Sequence, residues 1–325
     1  MAIIFMDGFE KNTLAMLYAY TNVDISSTSG LNLSGNYCMM VWSYGNYQYA
    51  TLKMPSTLTE LYGTMRIRTT DHMNIVFKDS AGADCMHVGR NPTSGNLVLK
   101  RGGTSGTLLA TGCTIAVNTT YHLKFYYKPL NSGGVFQVWI DNDLTIDYSG
   151  DTTNGLENVD AIVFSVNSLS FYIDDIVLST TDITKNLRIA GKAVTGAGTT
   201  TQWDPSAGAN YECVDEVPPV HTDYNSTNVS NEIDTFELAN CTEEIDNIAA
   251  VQVELSAAYE GSPTPTNVAA VLRCAGTDYP HGTPQSPPSS FGAALAFIWE
   301  LNPADSAAFE EADINAMEVG YKATA

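Results

Sequence analysis

The sequence predicts an all-β protein of two β-sandwich domains with one short helix near the C-terminus. Stretches of alternating apolar and polar residues recur about every ten residues, and Gly, Pro, Asn and Asp separate them. Only 16% of the residues are charged, whereas Ser, Thr, Asn and Gly are abundant, as is typical of short strands joined by polar turns. A chain of 325 residues is also long enough to form two hydrophobic cores.

The strands of the first half follow a period of two. Within residues 121–128, aromatic residues and Leu fall on one face, whereas His and Lys fall mainly on the other. A turn at 129–134 contains Pro, Asn and two Gly, and a second polar turn lies at 141–143. The same alternation predicts further strands at 135–140, 161–166 and 169–178.

The strand pattern stops near residue 180. Residues 181–205 are rich in Thr, Gly and Ala and show no apolar period, as expected of a connecting segment. We therefore predict a first domain at 1–180 and a second domain at 206–325. In the second domain, short apolar stretches predict strands at 248–255, 268–273 and 293–299.

The predicted helix lies close to the C-terminus. Asp305 and Ser306 are suited to cap its first turn, and Gly320 is suited to end it. We expect this helix to close one end of the second sandwich. Prolines mark two loops, at about 260–267 and 277–290, that cannot be central strands. The apolar face of the helix is predicted to contain Phe309, Ala312, Ala316 and Met317.

The chain is acidic, and its charge is uneven. The net charge is −21, of which −5 lies in residues 1–180 and −16 in residues 181–325. Nucleic-acid binding requires a basic surface that displaces counterions, so we predict no nucleic-acid partner and no binding to anionic membranes. The N-terminal residues do not resemble a signal peptide, and no stretch is suited to membrane insertion.

Four motifs of the first domain occur together in one known family. They are Asp7-Gly-Phe-Glu10, Tyr121-His-Leu-Lys-Phe125, Val138-Trp-Ile-Asp141 and Tyr172-Ile-Asp-Asp-Ile-Val-Leu178. Together they resemble the concanavalin A-like, laminin G-like jelly roll, in which an early D-G-F-E strand lies near a terminal I-D-D-I strand. The resemblance implies a closed jelly roll over residues 1–180. The predicted fold class is therefore all-β, with two jelly-roll-type β-sandwich domains and one short C-terminal helix.

Six motifs of the second half also occur together. They are Thr200–Tyr211, Val214–Pro219, Asp223–Asn225, Asp234–Phe236, Trp299–Pro303 and Asn315–Gly320. The arrangement resembles the carboxy-terminal region of tailed-bacteriophage structural proteins, many of which carry a laminin G-like domain in front of it. The resemblance implies a virion component that is assembled in the host cytoplasm and exposed on the particle.

These observations predict a non-enzymatic virion structural protein associated with the tail, the baseplate or a fibre. Its partners would be other virion proteins and further copies of itself. A trimer is favoured, because Tyr is abundant and charged residues are few, as at protein interfaces. Contact with glycans of the host surface is compatible with this function. The alternatives are a capsid decoration protein and a lectin-like glycan-binding adhesin.

The acidic residues do not predict an active site. A retaining glycosidase needs two carboxylates about 5 Å apart, usually on one face of a strand. The nearest pattern, Asp141, Asp143 and Asp147, lies in or beside a polar turn, so we expect these residues to cap the turn. Asp174 and Asp175 are adjacent and should face opposite sides of their sheet. One would be hydrogen-bonded at the edge of the core or bound to a structural Ca²⁺, and the other solvated.

Histidine and cysteine do not predict a catalytic or metal site. Neither residue type shows the spacing of a catalytic triad or of zinc ligands. We expect the five histidines to lie at the surface and the six cysteines to be buried free thiols. No cofactor is predicted, apart from the structural Ca²⁺ that the acidic residues allow.

A cluster of aromatic residues is the candidate binding site. Trp42, Tyr44, Tyr47 and Tyr49 lie within eight residues. Aromatic rings stack on sugar faces and anchor protein interfaces, because they bury a large area at a small cost in conformational entropy. We interpret the cluster as a candidate surface for a glycan or a protein partner. The alternative is that two hairpin strands contribute these rings to the core.

Overall fold

The computed structural model contains two compact units, Met1–Ala190 and Gly191–Ala325. Strands dominate the described residues of both units, and a short α-helix lies near the C-terminus, which confirms the predicted fold class. The division falls within the predicted connecting segment, but Val194–Thr201 in that segment is a strand of the second unit. The structure describes residues 2–14, 16–17, 19–27, 33, 36–242, 245–261 and 265–325.

The first unit is a sandwich of antiparallel sheets. Its strands are β1 (Ile3–Asp7), β2 (Ala19–Thr21), β3 (Val23–Ser26), β4 (Cys38–Ser43), β5 (Gln48–Leu58), β6 (Leu61–Thr69), β7 (Asn74–Lys78), β8 (Asp84–Arg90), β9 (Asn96–Arg101), β10 (Thr107–Thr114), β11 (Thr120–Lys128), β12 (Gly134–Ile140), β13 (Asp143–Gly150), β14 (Val159–Val166) and β15 (Leu169–Ser179). Sheet A has the order β13-β12-β11-β6-β15-β4-β3, with β1 also paired to β15. Sheet B has the order β10-β9-β8-β7-β14-β5-β2. The strands predicted in the first half correspond to β11, β12, β14 and β15.

Aromatic side chains from both sheets fill the core of the first unit. The ring centroid of Phe77 in sheet B lies 5.0 Å from that of Phe125 and 5.1 Å from that of Phe136, both in sheet A. Tyr127 joins them, and its hydroxyl donates a 3.0 Å hydrogen bond to the carbonyl oxygen of Thr152. All four rings are buried. Burial of one such side chain contributes roughly 1.5–3 kcal/mol, so this cluster is a major source of stability.

The first and last strands of this unit lie side by side, since β1 pairs antiparallel with the end of β15. Directly after β1, Gly8 leaves room for Ile189, because a Cβ atom at Gly8 would lie 2.8 Å from the Cβ of Ile189. Ile183 is fully buried as well. The first unit therefore extends past the predicted end at residue 180, as far as Ala190.

The second unit is a smaller, unequal sandwich. Its elements are β16 (Val194–Thr201), β17 (Asp204–Pro205), a 3-10 helix (Asn210–Cys213), β18 (Asn225–Ser226), β19 (Ile233–Leu238), β20 (Val251–Ser256), β21 (Asn267–Cys274), β22 (Thr277–Pro280), β23 (Ala294–Trp299), α1 (Glu311–Ala316) and β24 (Glu318–Thr324). Sheet C has the order β16-β19-β24-β21-β22, and β20 pairs with β23 in a separate small sheet. Val253, Leu272 and Phe297 belong to one buried cluster together with Ile314 of α1. The core of this unit thus involves β20, β21, β23 and the helix.

The helix α1 is shorter than predicted. It begins after Glu310 rather than after Ser306, and Gly320 lies in β24 instead of ending the helix. Ile314 is its buried residue. The predicted apolar face is therefore wrong in part, because a helix of six residues makes fewer than two turns and presents few side chains to the core. Of the residues predicted to face the core, Phe309 and Met317 are buried, whereas Ala312 and Ala316 are exposed.

A buried carboxylate organises the first part of the second unit. Asp234 is inaccessible to solvent, and its Oδ1 accepts hydrogen bonds from the backbone N–H groups of Gln202 (2.6 Å) and Trp203 (2.9 Å). Its Oδ2 accepts a 2.6 Å hydrogen bond from the side-chain amide of Asn210. The side-chain amide of Asn225 in turn donates to the carbonyl oxygen of Asn210 at 2.8 Å. Residues from three of the sequence motifs noted above thus hold one another in place.

Candidate functional site

The four predicted aromatic residues form two pairs, one at each end of the turn between β4 and β5. The rings of Trp42 and Tyr44 meet edge to face with centroids 5.4 Å apart, and those of Tyr47 and Tyr49 are stacked at 6.0 Å. Tyr44 is 93% exposed and Tyr47 is 51% exposed, so neither belongs to the core. Both pairs therefore present aromatic surface to a ligand.

A tight turn joins the two pairs. The hydroxyl of Ser43, at the end of β4, accepts hydrogen bonds from the backbone N–H groups of Gly45 (3.1 Å) and Asn46 (3.0 Å). Gly45 has a φ of 103°, a conformation that glycine adopts without strain. The chain crosses here from sheet A to sheet B. Trp42 therefore lies at the end of a strand in sheet A, and Tyr49 near the start of a strand in sheet B.

A polar cleft of about 600 Å³ opens beside Trp42. Asp24 lines this cleft, and its Oδ2 accepts a 2.5 Å hydrogen bond from the indole Nε1 of Trp42, which fixes the ring beside the opening. Tyr20 lines the cleft as well and is 50% exposed. The cleft is broad and open to solvent, so a ligand bound there would keep part of its surface accessible. We call the cleft, with the rings of Trp42 and Tyr44 beside it, the aromatic corner, which consists of Tyr20, Asp24, Trp42 and Tyr44.

The strand β2 links the cleft to the second aromatic pair. Tyr20 belongs to β2 and is followed by Thr21, whose hydroxyl accepts a 3.4 Å hydrogen bond from the backbone N–H of Tyr49. The carbonyl oxygen of Asn22 accepts a 3.2 Å hydrogen bond from the backbone N–H of Trp42. These contacts join segments that are distant in sequence. Sequence reasoning therefore missed Tyr20 and Asp24, since no local spacing connects them to the aromatic cluster.

Sheet B carries buried polar residues on the face turned away from the core. In the strand register, Tyr49 lies opposite Ser165, and Ser165 lies opposite Asn74. His87 of the next strand is hydrogen-bonded to Asn74, with Nε2 2.9 Å from Oδ1. Burial lowers the pKa of His87 to about 4, and the charge of Lys100 contributes to the shift. The imidazole is therefore neutral at pH 7.

Two of the histidines predicted to lie at the surface are buried, so that prediction is wrong for His87 and His122. The Nε2 of His122 lies 2.7 Å from the hydroxyl of Thr64. Burial, followed by the charge of Arg66, lowers the pKa of His122 to about 4. Both histidines lie on the face of their strand that points away from the core. The prediction failed because the sequence does not show that other residues cover this outer face.

The cysteines are free thiols, as predicted, but burial was predicted wrongly for some of them. Cys113 is exposed, because it lies in the edge strand β10. Cys241 is partly accessible. The buried thiols are those of Cys38, Cys85, Cys213 and Cys274.

The acidic residues nearest to a glycosidase pattern have structural contacts. Asp141 and Asn142 form the turn between β12 and β13, with φ values of 51° and 74°. The Oδ1 of Asp141 accepts a 2.8 Å hydrogen bond from the backbone N–H of His122, so this carboxylate ties the turn to the neighbouring strand β11. The Oδ1 of Asp147 accepts a 2.9 Å hydrogen bond from the side-chain amide of Gln137.

Asp174 and Asp175 are both buried, so the expectation that one of them is solvated is wrong. The physical reason is a bulge in β15, where the register against β6 shifts after Asp174 and Asp175 has a φ of 50°. The Oδ2 of Asp175 lies 3.0 Å from Nε of Arg66, and its Oδ1 accepts a 2.8 Å hydrogen bond from the backbone N–H of Ile189. These partners stabilise the buried carboxylate.

Two further features bear on function. Within the described residues, no group of three or more His, Cys, Asp or Glu side chains is arranged to hold a metal ion. In the same part of the chain, no helix is long and apolar enough to cross a membrane.

Comparisons with known proteins find distant structural similarity and no family. No family model matches the sequence, and no curated protein does. Among solved structures, the chain is similar to a sialidase, with 17% identity over 56% of this chain and a TM-score of 0.39, but the match spans only 19% of that sialidase chain.

Other similar structures are matched over most of their length. One is the carbohydrate-binding module CBM66 from Bacillus subtilis, with 12% identity over 50% of this chain and 94% of that chain and a TM-score of 0.37. Another is a protein of unknown function with a galectin-like fold from Bacillus subtilis, with 9% identity over 55% of this chain and 96% of that chain and a TM-score of 0.40. At such low identities and TM-scores, these similarities support no functional conclusion.

Proposed function

We propose that the first unit binds glycans at the aromatic corner and that the protein is not an enzyme. The observation that carries this proposal is an open polar cleft of about 600 Å³ with one accessible aromatic ring in its lining and two more rings beside it. Tyr20 and Asp24 line the cleft, and Trp42 and Tyr44 lie beside it. A ring face and a polar cleft together match the two surfaces of a sugar, which has C–H groups on its face and hydroxyl groups at its edge.

The chemistry of the cleft supports this assignment. Small-molecule sites combine apolar rings with a few polar groups that fix the orientation of the ligand. The cleft offers the side chains of Asn12, Ser27 and Asp24 to sugar hydroxyl groups and the ring of Tyr20 to a sugar face. Because the hydrogen bond to Asp24 already orients Trp42, little side-chain entropy is lost when a ligand stacks on the indole.

The acidic residues support a binding protein rather than a hydrolase. Asp141 and Asp147 are engaged in a turn and a cross-strand contact, and Asp175 pairs with Arg66 in the interior. A glycosidase would need two carboxylates that flank the bond to be cleaved. Asp24, in contrast, lines the cleft as the acceptor of the Trp42 indole N–H.

A glycan array tests the proposal. The full chain should bind at least one class of glycan, and Trp42→Ala and Tyr44→Ala should each weaken that binding at least tenfold. Tyr44→Ala is the cleaner variant, because a side chain that is 93% exposed contributes little to folding. Leu301→Ala, at a side chain of the second unit that is 50% exposed, is the control and should bind as the native chain does. Unchanged binding by both corner variants, or no binding to any glycan, would refute the proposal.

A second candidate function is that of a virion structural protein, as the resemblance in sequence implies. One observation favours an assembly surface on the second unit: a short segment of this acidic unit exposes several large apolar side chains. Such side chains are typical of protein interfaces when they occur close together. They are Val217 (47% exposed), Val220 (44%), Tyr224 (38%) and Val229 (50%).

Light scattering at micromolar concentration, with and without Ca²⁺, tests this second function. We expect a homo-oligomer, with a trimer favoured, and we expect Val217→Ser combined with Val220→Ser to shift it towards the monomer. Ca²⁺ should strengthen association if carboxylates meet at the interface, because like charges repel there. A compact monomer that shows no affinity for other virion proteins would contradict the assembly function and would leave glycan binding to be decided by the array.

A further inference from the structure

We propose that the outer face of sheet A holds a second glycan-binding site, formed by Tyr62, Tyr126 and Trp139 and suited to a neutral polysaccharide. The site is separate from the aromatic corner and uses none of its residues. We call it the aromatic strip, which consists of Tyr62, Lys124, Tyr126, Gln137 and Trp139.

The strand register places these side chains on one face. In β11, Leu123, Phe125 and Tyr127 are buried in the core, so the residues between them face outward. Tyr126 lies opposite Tyr62 of β6 on one side and opposite Gln137 of β12 on the other. Lys124 lies opposite Trp139 of β12. The strip thus crosses three neighbouring strands, which are about 4.8 Å apart.

Contacts within the strip hold its rings in fixed positions. The rings of Tyr62 and Tyr126 are stacked with centroids 4.5 Å apart and an interplanar angle of 19°. The hydroxyl of Tyr126 donates a 3.2 Å hydrogen bond to Oε2 of Glu60. The ammonium group of Lys124 lies 4.3 Å from the centroid of the Trp139 ring. All three rings remain partly accessible to solvent. Ordered rings with accessible surface lose little entropy when a ligand stacks on them.

The charges of the strip match a neutral ligand. The chain has a net charge of −21, and carboxylates lie close to the strip as well: Glu60 accepts a hydrogen bond from Tyr126, and the charge of Asp182 acts on Tyr62. Gln137 donates a 2.9 Å hydrogen bond to Asp147, so the edge of the strip offers both amide and carboxylate groups. An anionic polysaccharide would be repelled by these carboxylates. The hydroxyl groups of a neutral polysaccharide, in contrast, can both donate to the carboxylates and accept from the amide and ammonium groups.

The strip lies far from the aromatic corner. Trp42 is opposite Ser170 of β15, whereas Tyr62 is opposite Ser179 of the same strand. Nine residues along a strand span about 30 Å. A trisaccharide therefore cannot contact both places, but a long polysaccharide chain can, and simultaneous contact would raise its affinity through the high effective concentration of the second site.

Affinity electrophoresis in gels that contain hydroxyethylcellulose, glucomannan or arabinoxylan tests the strip. The full chain is compared with Trp139→Ala combined with Tyr126→Ala, and with Gln137→Arg, which fills the strip without removing a packed ring. Each strip variant should lose at least tenfold in affinity for one of these polysaccharides. Leu108→Ala and Leu301→Ala, at exposed side chains outside the strip and outside the aromatic corner, are the controls and should bind as the native chain does.

The outcomes separate the two sites. Loss of polysaccharide binding in both strip variants, with binding to the glycan array unchanged, supports the strip. Native affinity in either strip variant, or failure of the native chain to be retarded by all three polysaccharides, overturns it. Neither of those results affects the aromatic corner, which is tested by Tyr44→Ala on the array. Conversely, an array result that refutes the corner leaves the test of the strip in force.

Discussion

The two units bury their interiors in different ways. The first unit fills its core with large rings, and Phe77 alone contacts Phe125 and Phe136 across the two sheets. The second unit has a smaller apolar cluster around Phe297, and it also depends on the buried carboxylate of Asp234. Apolar packing tolerates some change in shape, whereas a buried carboxylate needs each of its donors. The stability of the first unit should therefore depend mainly on the volume of its core side chains. The stability of the second unit should depend also on a single buried hydrogen-bond acceptor.

The largest expected effect concerns the aromatic core. Phe77→Ala removes the ring between Phe125 and Phe136, and we expect the free energy of unfolding of the first unit to fall by about 3–5 kcal/mol. Chemical denaturation should then show an earlier transition for the first unit and an unchanged one for the second. Leu108→Ala, at a side chain that is 56% exposed, is the control and should have almost no effect. An equal loss in both transitions would mean that the units unfold as one body.

The next effect concerns the buried carboxylate. Asp234→Ala leaves the N–H groups of Gln202 and Trp203 and the amide of Asn210 without their acceptor. We expect the free energy of unfolding of the second unit to fall by roughly 2–3 kcal/mol. Asp204→Ala, the control, removes an exposed carboxylate from the same region and should change the free energy of unfolding little. If the two substitutions had equal effects, the buried network would not be what stabilises this unit.

A third effect separates the units by pH. The pKa values of His87 and His122 in the folded first unit are lowered to about 4. Below pH 6.5 the histidines of the unfolded chain bind protons that those of the folded unit do not. The free energy of unfolding is therefore highest above pH 6.5 and decreases as the pH falls towards 4. Between pH 7 and pH 5 the loss is about 2 kcal/mol per histidine. Both of these histidines lie in strands of the first unit, so this loss should appear in the unfolding transition of that unit.

Urea denaturation at several pH values checks this prediction. In His87→Gln, the decline in stability between pH 7 and pH 5 should be smaller than in the native chain by about the contribution of one histidine. His221→Gln is the control and should leave the decline unchanged. If stability declined with pH in His87→Gln as it does in the native chain, the pKa of His87 would be the same in the folded and the unfolded chain.

The smallest expected effect is local and concerns the edge of sheet C. Glu318 accepts hydrogen bonds from the backbone N–H of Thr199 (2.8 Å) and from the hydroxyl of Thr235 (2.5 Å). Burial alone would raise the pKa of Glu318, but these hydrogen bonds outweigh it and lower the pKa. Glu318→Ala should cost about 1 kcal/mol and speed hydrogen exchange in β16. Exchange that is accelerated equally in β21 would instead indicate general loss of the sheet.

The sequence predicted strands well where apolar residues alternate and poorly where they do not. β11, β12, β14 and β15 follow from the period of two, since one face of each strand packs in the core. β16 was missed, because Val194–Thr201 consists mainly of Gly, Ala and Thr and pairs along one edge only with β19. The bulge at Asp175 was missed for a similar reason, since a positive φ at an aspartate leaves no local pattern.

The candidate sites show the same limit. The sequence indicated Trp42, Tyr44, Tyr47 and Tyr49, because they are close together along the chain. It did not indicate Tyr20, which reaches the corner through the pairing of β2 with β5. The aromatic strip was missed as well, because its rings come from β6, β11 and β12 and meet only once the strand register is known. Periodicity predicts which face a residue takes, but not which residues share that face.

The contact between Gly8, Asp175 and Ile189 determines where the first unit can be cut. A recombinant fragment that ended at residue 180 would lack Ile189, whose backbone N–H donates a hydrogen bond to Asp175. It would also expose the surface of Gly8 that Ile189 covers. A fragment that ended at Ala190 would keep both. Gly8 near the N-terminus of the unit and Ile189 after its last strand therefore belong to the same packed contact. A domain boundary chosen from strand periodicity alone would remove Ile189 and disrupt that contact.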